Sequence, residues 1–498
     1  MTDIKILLEK LEILKSERSS WDRSREDIKK YVCPSSERTK DALASLPSYA
    51  ASSLASNLQS ILVNPSSQWF SLNLVEIEKE DEDAIGWSQK ITESINEVLN
   101  CRATNFYTQI HEFFLTLVTY GTAVFYIEED PKLPFFSFFR NIPLEECFFE
   151  ENRFRFVDTI YRNFKISLKI ASEIWSDNVK LRAKAIKFPN EKLDILHVVQ
   201  PKKDNSIKSF ESLYISLEDK ELLSESLYNY FPFLVTRWVQ HSDSPYGYAP
   251  AHHVMSEIIL LNKYRTFAIK AKQKEDEPAL LVPRHGYRLP LINTPGHVNF
   301  YDNSIADKIH RLTSIENPRP TLEEQEKCEI AIRTSFYMDV FHLPKINKEM
   351  TASEVNVRSE EQMRMMSPIV GRIETELLDP LIRNIFNILM KYKRINLENT
   401  KNLSIETHYI SPLSRVQRLE STRSMEHVLA FLLNSGIAKI SPEVLDSFNF
   451  DEVLKLYAQS HNCPQNIFLK KEEVEEIRRM RNSQQESNQS EQTIDRMQ

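Results

Sequence analysis

Apolar residues recur every three to four positions over much of the N-terminal quarter of the chain, which is the spacing of amphipathic helices. Residues 2–30 predict one helix, and residues 42–62 predict a second helix that Pro65 follows. Trp69–Leu72 begins a strand-like stretch, after which residues 81–119 have helical spacing again. This part of the chain is therefore predicted to be mainly helical.

Aromatic and β-branched residues dominate from residue 122 to about residue 161, with prolines between them, and predict several short strands. Residues 166–186 return to helical spacing, and strand-like pieces follow within residues 193–238. The most apolar stretch, residues 113–127, contains threonines and a glycine and is flanked by glutamates. We expect it to form a buried helix end and a strand rather than a membrane span.

The centre of the chain predicts two helices of similar length around a β-rich insert. Residues 251–274 have helical spacing and Pro278 ends them, whereas residues 279–315 contain short apolar runs between prolines and glycines. A second helix is predicted from a capping box at Thr321–Glu324 to about His342. At about 1.5 Å per residue, both helices would be roughly 30–36 Å long. This arrangement is unusual for a soluble enzyme.

A third long helix is predicted for residues 351–393, opened by a capping box at Thr351–Glu354. Pro368 and Pro380 lie inside it, so we expect kinks there. Its apolar stripe, which we interpret as core packing, comprises Met363, Met366, Val370, Ile373, Leu377, Leu381, Ile385 and Leu389. Sustained heptads are absent, which argues against a coiled-coil scaffold.

The C-terminal part has helical spacing over residues 415–460, with Pro442 as a break, and a charged helix is predicted over residues 470–482. From Ser483 onward the sequence is mainly Gln, Ser, Asn and Glu, for which we expect disorder.

Composition permits a large folded chain but not a basic nucleic-acid-binding domain. The 498 residues are 41% hydrophobic and 27% charged, and the net charge is −8. Two to four domains are expected at this length. Since a protein that binds DNA statically usually has a basic domain, any DNA contact here is predicted to be local, transient or repulsive. No membrane helix or signal peptide is expected.

Glycine and cysteine usage excludes several classes of enzyme and metal site. The seven glycines lie at least ten residues apart, whereas phosphate-binding loops need clustered glycines. The sequence therefore argues against P-loop ATPases and Rossmann enzymes, and the absence of G-x-S-x-G argues against α/β-hydrolases. The five cysteines form no C-x-x-C pair, which fits a reducing compartment and neither a disulfide framework nor a zinc site.

Candidate catalytic groups are few. His252 and His253 are adjacent, so on a helix they point about 100° apart and share one metal ion poorly. The glutamate pairs 145–146 and 150–151 could form a metal-nuclease cluster, but surface loop charges are the better interpretation. Cys147 has no histidine nearby in sequence. We expect no enzymatic activity, no catalytic residues, no metal and no cofactor.

Seven short segments, in order along the chain, resemble blocks found in one family. They are the N-terminal helix with Trp21 and Tyr31, Leu54–Leu58 with Pro65–Leu72, Thr119–Ala123, Ile142–Glu146 with Glu151–Asn152 and Val157–Arg162, Arg237–Trp238 with Tyr246, Gly247 and Pro250, Met350–Val355, and Ser411–Gln417. On these segments the chain resembles the head-to-tail connector (portal) proteins of short-tailed bacteriophages.

The resemblance implies a mixed α+β, helix-rich portal fold assembled as a cyclic dodecamer. It assigns residues 1–250 to the wing, 251–278 to the first stem helix, 279–320 to the β-rich clip, 321–342 to the second stem helix, 343–350 to a channel loop, 351–393 to a long kinked helix, 394–482 to crown-proximal strands and the helical crown, and 483–498 to a disordered tail.

In such a ring each lysine of the stem or channel loop would become a ring of positive charge. The candidates for DNA contact in the channel are Lys263, Lys270 and Lys274 of the stem helix and Lys345 and Lys348 of the loop. Scattered basic rings in an acidic protein would touch phosphates without holding them, because affinity grows with the number of phosphate contacts. The alternative is that the stem lysines form a solvated outer face.

The resemblance also implies the partners and the location. We expect double-stranded DNA, contacted transiently and without sequence preference, the terminase large subunit, tail and adaptor proteins, and capsid and scaffolding proteins, but no membrane. The protein would lie at the portal vertex of the virion, and in the host cytoplasm during assembly. Another structural or adaptor virion protein stays open as an alternative, with a metal-dependent nuclease as a weaker one.

Overall fold

Helices and antiparallel strands alternate along the chain in this computed structural model. The structure describes residues 4–33, 43–74, 82–202, 210–240, 243–276, 280–281, 310–311, 319–341, 364–395 and 405–410, with single residues between 425 and 480. Two compact units result, Met1–His408 and Tyr409–Gln498. The first contains almost all of the elements described below.

The described helices are α1 (Ile4–Tyr31), α2 (Leu46–Leu62), α3 (Glu82–Asn100), α4 (Phe106–Tyr120), α5 (Leu168–Ile174), α6 (Val179–Lys187), α7 (Pro250–His253), α8 (Met255–Asp276), α9 (Arg319–Ser335), α10 (Met338–Phe341), α11 (Ser367–Ile373) and α12 (Asp379–Lys391). The strands are β1 (Phe70–Leu74), β2 (Thr122–Glu129), β3 (Ser137–Ile142), β4 (Cys147–Glu151), β5 (Val157–Ser167), β6 (Lys192–Pro201), β7 (Phe210–Ser216), β8 (Glu221–Tyr228), β9 (Phe233–Arg237), β10 (Leu280–Leu281), β11 (His310–Arg311) and β12 (Ile405–Tyr409). The mixed helix and sheet content predicted from sequence is confirmed.

Two antiparallel sheets form the centre of the first unit. One has five strands in the order β4-β5-β6-β7-β8, and the other has three in the order β3-β2-β9. Alternate residues of a strand point to opposite faces. Ile160 of β5 therefore lies in the core shared by the two sheets, whereas its neighbour Tyr161 lies in a separate core beneath α1.

Helix α4 covers the other face of the three-stranded sheet with aromatic side chains. Phe106 and Phe113 meet Phe125 of β2 edge-on, and Phe125 stacks on Phe139 of β3 with ring centroids 5.8 Å apart. All four rings are buried. The apolar stretch 113–127 is thus a buried helix end and a strand, as predicted.

The long helix predicted for residues 351–393 is described from residue 364 onward. Its predicted stripe is buried at Met366, Val370, Ile373 and the later positions, so the interpretation as core packing is confirmed there. A π-helical turn at Glu374–Leu378 separates α11 from α12. Pro380 follows this turn directly, which agrees with the kink expected from a residue without an N–H donor.

Several predicted boundaries were wrong. The stretch 81–119 is two helices, because Asn105 adopts φ 61° between them. Residues 166–186 form the end of β5 and two short helices. Helix α9 already includes Arg319, so Thr321 does not occupy the N-cap. The second helix also ends at Ser335, two residues before Tyr337 with φ 53°.

Strand β8 was not predicted. Its sequence, Glu-Leu-Leu-Ser-Glu-Ser-Leu-Tyr, carries charged and polar residues because β8 is an edge strand, in which half of the residues are exposed and none is buried. Ionisable residues on an edge discourage pairing with other chains. They also weaken the alternation that identifies a strand in sequence.

Several predictions lie outside the described residues. These are most of the insert 279–320, the loop 343–350, the start of the long helix at 351–363, most of 394–482, and the tail 483–498. Within the second unit, residues 477–480 are helical, and Arg478 donates to Asp451 at 2.6 and 2.9 Å. None of the described helices is long and apolar enough to cross a membrane.

Candidate functional site: a helix pair and its anchor

Helices α8 and α9 form the antiparallel pair that the sequence predicted. At its base the Ser335 hydroxyl donates to the Pro250 carbonyl at 3.1 Å, and farther along Arg265 reaches Glu329 at 3.3 Å. Ile258 and Ile332 are fully buried near the base. The N-terminal boundary predicted at residue 251 is close, although Val254 separates the short helix α7 from α8.

Away from the base the surface of the pair is exposed. Lys263 and Lys270 of α8 are exposed, and so are Phe267 of α8 and Leu322 of α9. Lys274 belongs to α8, but its side chain lies outside the described set, and Lys345 and Lys348 lie outside the described residues altogether. The structure thus places Lys263 and Lys270 on the exposed surface of the helix pair, and the other three candidate side chains lie outside the described set.

A close contact between two backbones anchors the base of the pair. Gly121, at φ 79°, ends α4, and Gly247 lies against it shortly before α7. A Cβ on Gly247 would lie 2.2 Å from the Gly121 carbonyl oxygen. The Gly247 N–H donates to the Thr122 hydroxyl at 2.7 Å, and the Trp238 N–H donates to the Gly121 carbonyl at 2.8 Å. Only residues without a side chain permit this approach.

Arg237 is the buried charge of the same anchor. Its side chain is 2% exposed and pairs with Glu151 of β4 and with Glu376 of the π-helical turn, the latter at 2.8 Å. It also donates to the Arg155 carbonyl at 2.8 Å, while Glu376 accepts from the Arg237 backbone N–H at 2.8 Å. A buried guanidinium needs several acceptors, and here two carboxylates and a carbonyl supply them.

Helix α1 is attached to this region by a second buried arginine. Arg18 donates to the carbonyls of Leu144, Glu145 and Cys147 at 2.7–3.1 Å. Three residues further along α1, the Trp21 ring stacks on Tyr246 with centroids 4.8 Å apart. Segments that are distant in sequence therefore meet here.

The glutamates at 145–146 and 150–151 form no metal site. Glu145 pairs with Arg25, Glu146 pairs with Arg162 at 2.9 Å, Glu150 pairs with Lys10, and Glu151 pairs with Arg237. The interpretation as surface loop charges was also wrong in part, because Glu150 and Glu151 lie in β4 and all four carboxylates join separate elements. No cluster able to hold a metal ion occurs among the described residues.

Of the histidine and cysteine candidates, His252 is partly buried and Cys147 is fully buried inside the fold. Burial, and then the neighbouring His253, lowers the pKa of His252 to about 4, so His252 is neutral near pH 7. Its Nδ1 accepts from the Ala249 N–H at 2.9 Å. Burial raises the pKa of the Cys147 thiol to about 12, which disfavours the nucleophilic thiolate.

Sequence reasoning named the segments around Gly121, Arg237 and Gly247 without finding that they touch. Arg18 and Glu376 were missed. The scarcity of glycine was the available signal for this contact. A chain with only seven glycines is expected to place them where the backbone conformation or a close approach requires a residue without a side chain.

The anchor joins the helix pair to both sheets through a buried arginine with two carboxylate partners and through a direct contact between two backbones. A family model described as bacteriophage head to tail connecting protein matches residues 5–469. The chain therefore belongs to that family.

Two curated relatives align over nearly the whole chain. The chain is 24% identical over 529 residues to the probable portal protein of Bordetella phage BPP-1, covering 98% of this chain and 92% of the relative. It is 23% identical over 522 residues to the portal protein of Salmonella phage epsilon15, covering 97% and 92%.

Proposed function

We propose that this protein is a portal: a ring at one capsid vertex through which the phage packages and ejects its double-stranded DNA, and to which the tail attaches. The observation that carries the proposal is the family match over residues 5–469, together with portal relatives aligned over at least 97% of the chain. The proposed assembly is a cyclic dodecamer in the virion, formed in the host cytoplasm.

The described elements fit the assignment of parts. The wing is residues 1–250, which contain both large sheets, and the stem is the α8–α9 pair within residues 251–278 and 321–342. The short ribbon of β10 and β11 lies within the proposed clip, residues 279–320. The channel loop at 343–350, the crown within 394–482 and the tail at 483–498 complete the assignment, with 351–393 as the long helix.

The proposed channel contacts are Lys263, Lys270, Lys274, Lys345 and Lys348. The exposure of Lys263 and Lys270 on helix α8 supports this assignment. Repeated around a ring, few positive charges per subunit would cancel some of the repulsion between DNA and a chain of net charge −8. The function proposed is conduction and docking, without catalysis, metal or cofactor, so the packaging ATPase would be the terminase.

Native mass spectrometry and negative-stain imaging of the purified full chain test the assembly. A ring of about 700 kDa with a central hole is expected, which is twelve times the 58.3 kDa chain. A chain that stays monomeric even with capsid and scaffolding proteins present contradicts the proposal.

Replacing Lys345 and Lys348 by glutamine in an infectious phage tests the channel assignment. We expect intact heads and tails with slower packaging or ejection of DNA, and an effect that grows at low salt because the contact is electrostatic. Lys132→Gln, an exposed lysine between β2 and β3, is the matched control. Packaging and ejection rates equal to those of the control would remove these two lysines from the proposal.

A further inference from the structure

Helices α1 and α6 cover opposite faces of the five-stranded sheet. Leu7 and Leu11 of α1 pack with Leu196 and Val198 of β6. Leu181 of α6 packs instead with residues 193 and 195 of the same strand. Because alternate residues of a strand face opposite ways, the outer surfaces of the two helices point away from each other.

The outer surface of α1 carries an apolar and acidic stripe. Ile6 and Ile13 are 59% and 57% exposed, and the exposed Glu9 lies between them. Glu17 continues the stripe one turn further. These positions fall at i, i+3, i+7 and i+11, on one side of a helix. Lys10, which lies nearby, is engaged with Glu150.

The outer surface of α6 carries the complementary stripe. Val179 and Ile186 are 77% and 83% exposed, and the exposed Arg182 lies between them at the same i, i+3, i+7 spacing. Two other basic residues of this helix are placed differently, since Lys180 pairs with Glu221 and Lys184 pairs with Asp219 at 2.8 Å, whereas the exposed Lys187 ends the helix one residue after Ile186.

Further apolar side chains widen the α6 surface. Ile170 and Ile174 of α5 and Phe188 after α6 are also exposed. Single exposed apolar residues need no explanation, but a group of five on two adjacent helices is a feature of interaction sites.

The two stripes match in spacing and in charge. The two apolar side chains of each stripe are seven positions apart in sequence, which is about 10 Å along the helix. Glu9 and Arg182 occupy the middle of their stripes, so laying one helix on the other brings the opposite charges together between two apolar contacts. The stripes cannot meet within one chain, because the sheet lies between them.

We propose that α1 of one copy docks on α6 of the next copy with the two helices parallel, so that Glu9 faces Arg182, Ile6 packs on Val179 and Ile13 packs on Ile186. Such an interface is heterologous, since each copy offers a different surface on each side. Repetition of a heterologous contact gives a closed ring when the rotation per subunit allows it. The inference rests on the proposed ring and identifies a subunit contact within it.

Charge reversal with rescue tests the contact in the full chain. E9R and R182E are each expected to raise the protein concentration needed for ring assembly about tenfold or more, because like charges would then face each other. The double variant E9R/R182E restores the pair in reversed orientation and should assemble like the wild type. Native mass spectrometry over a concentration series measures all three.

Two control variants carry the same type of charge change elsewhere on the surface. Glu93→Arg on α3 and Lys132→Glu both alter exposed positions and should assemble normally. Wild-type assembly by both single variants, or failure of the double variant to recover, overturns the inference. Equal loss of assembly in the two controls also overturns the inference, because any charge reversal on the surface would then impair assembly.

Cysteine cross-linking separates this inference from the proposed function. I13C and I186C are prepared with tags of different mass, mixed and oxidised, and I13C mixed with wild type is the background for the native cysteines. A disulfide-linked heterodimer is expected only from the mixture of the two variants. Its formation supports the contact even if the wild type closes no ring. Its absence while the wild type forms rings overturns the contact and leaves the portal proposal intact.

Discussion

The anchor and the helix pair differ in how their polar groups are satisfied. In the anchor, the guanidinium of Arg237 is buried between two carboxylates, and two glycines bring backbones into direct contact. In the pair, the ion pair between Arg265 and Glu329 is about one-third exposed on each side. Exposed ion pairs contribute little to stability, whereas an unpaired buried charge is costly.

This difference assigns separate tasks to the two regions. The anchor fixes the direction in which the pair leaves the sheets, because its geometry tolerates few alternatives. The pair gains its stability from a buried base and leaves its outer half available to other molecules. We therefore expect substitutions in the anchor to affect folding, and substitutions on the outer half of the pair to affect assembly or DNA passage.

Gly247→Ala should have the largest effect. The new Cβ would lie 2.2 Å from the Gly121 carbonyl oxygen, so the two backbones must separate and lose the hydrogen bond to Thr122. We expect a loss of about 4 kcal/mol or more, or failure to fold. Calorimetry and soluble yield of the full chain measure this.

Gly371→Ala is the matched control for that change. Gly371 lies in α11, and a Cβ there would meet nothing within 4 Å. Because alanine favours a helix over glycine, a gain of about 0.5–1 kcal/mol is expected. Equal melting temperatures for the two variants would contradict the account of the glycine contact.

Arg237→Ala should cost about 3–5 kcal/mol, since it leaves the largely buried Glu376 and the partly buried Glu151 without the arginine that pairs with both. The triple variant R237A/E151Q/E376Q removes the charges together and should recover part of the loss. Melting temperatures that are equal in the single and triple variants would show that the charges themselves are not the cause.

Sequence patterns predicted the elements of both regions better than their contacts. The helix at residues 2–30 and the strands within 122–161 have strong local periodicity, and both predictions were confirmed. The pairing of Arg237 with Glu376 joins residues 139 apart, and periodicity holds no information on such a partner. The contact between Gly121 and Gly247, which lie far apart in sequence, was not predicted for the same reason, although both glycines were named. Most of the clip, the channel loop and three of the five lysine side chains lie outside the described set, so those assignments stay predictions.

On the helix pair, Ile332→Ala should cost about 2–4 kcal/mol, because it leaves a cavity at the fully buried base. Ile330→Ala, at a position 62% exposed on the same helix, should change stability by less than about 0.5 kcal/mol. A comparison of the two melting temperatures checks that the pair is held at its base. Similar losses from both variants would mean that the outer surface is also buried, as in an assembled ring.

The smallest expected effect is on the pH dependence of stability. It follows from a comparison of two glutamates in the π-helical turn of the anchor. Glu376 has Arg237 as its partner, whereas burial and the neighbouring Asp379 raise the pKa of Glu374 in the same π-helical turn from 4.5 to about 7. The folded state therefore holds this proton more tightly than the unfolded chain. Stability from this group is fully present below pH 4.5 and is lost as the pH rises to about 7.

Glu374→Gln should remove that pH dependence. The variant and the wild type should melt alike at pH 4.5, and at pH 8 the variant should be more stable by about 1 kcal/mol, a figure reduced for the partial exposure of the group. The difference between the two melting curves at each pH cancels the titration of all other groups. A variant that is less stable than the wild type at pH 8 would mean that Glu374 is ionised with a partner, as Glu376 is. The anchor would then hold a further ion pair at Glu374 beside the two made by Arg237, rather than a carboxyl whose pKa burial has raised.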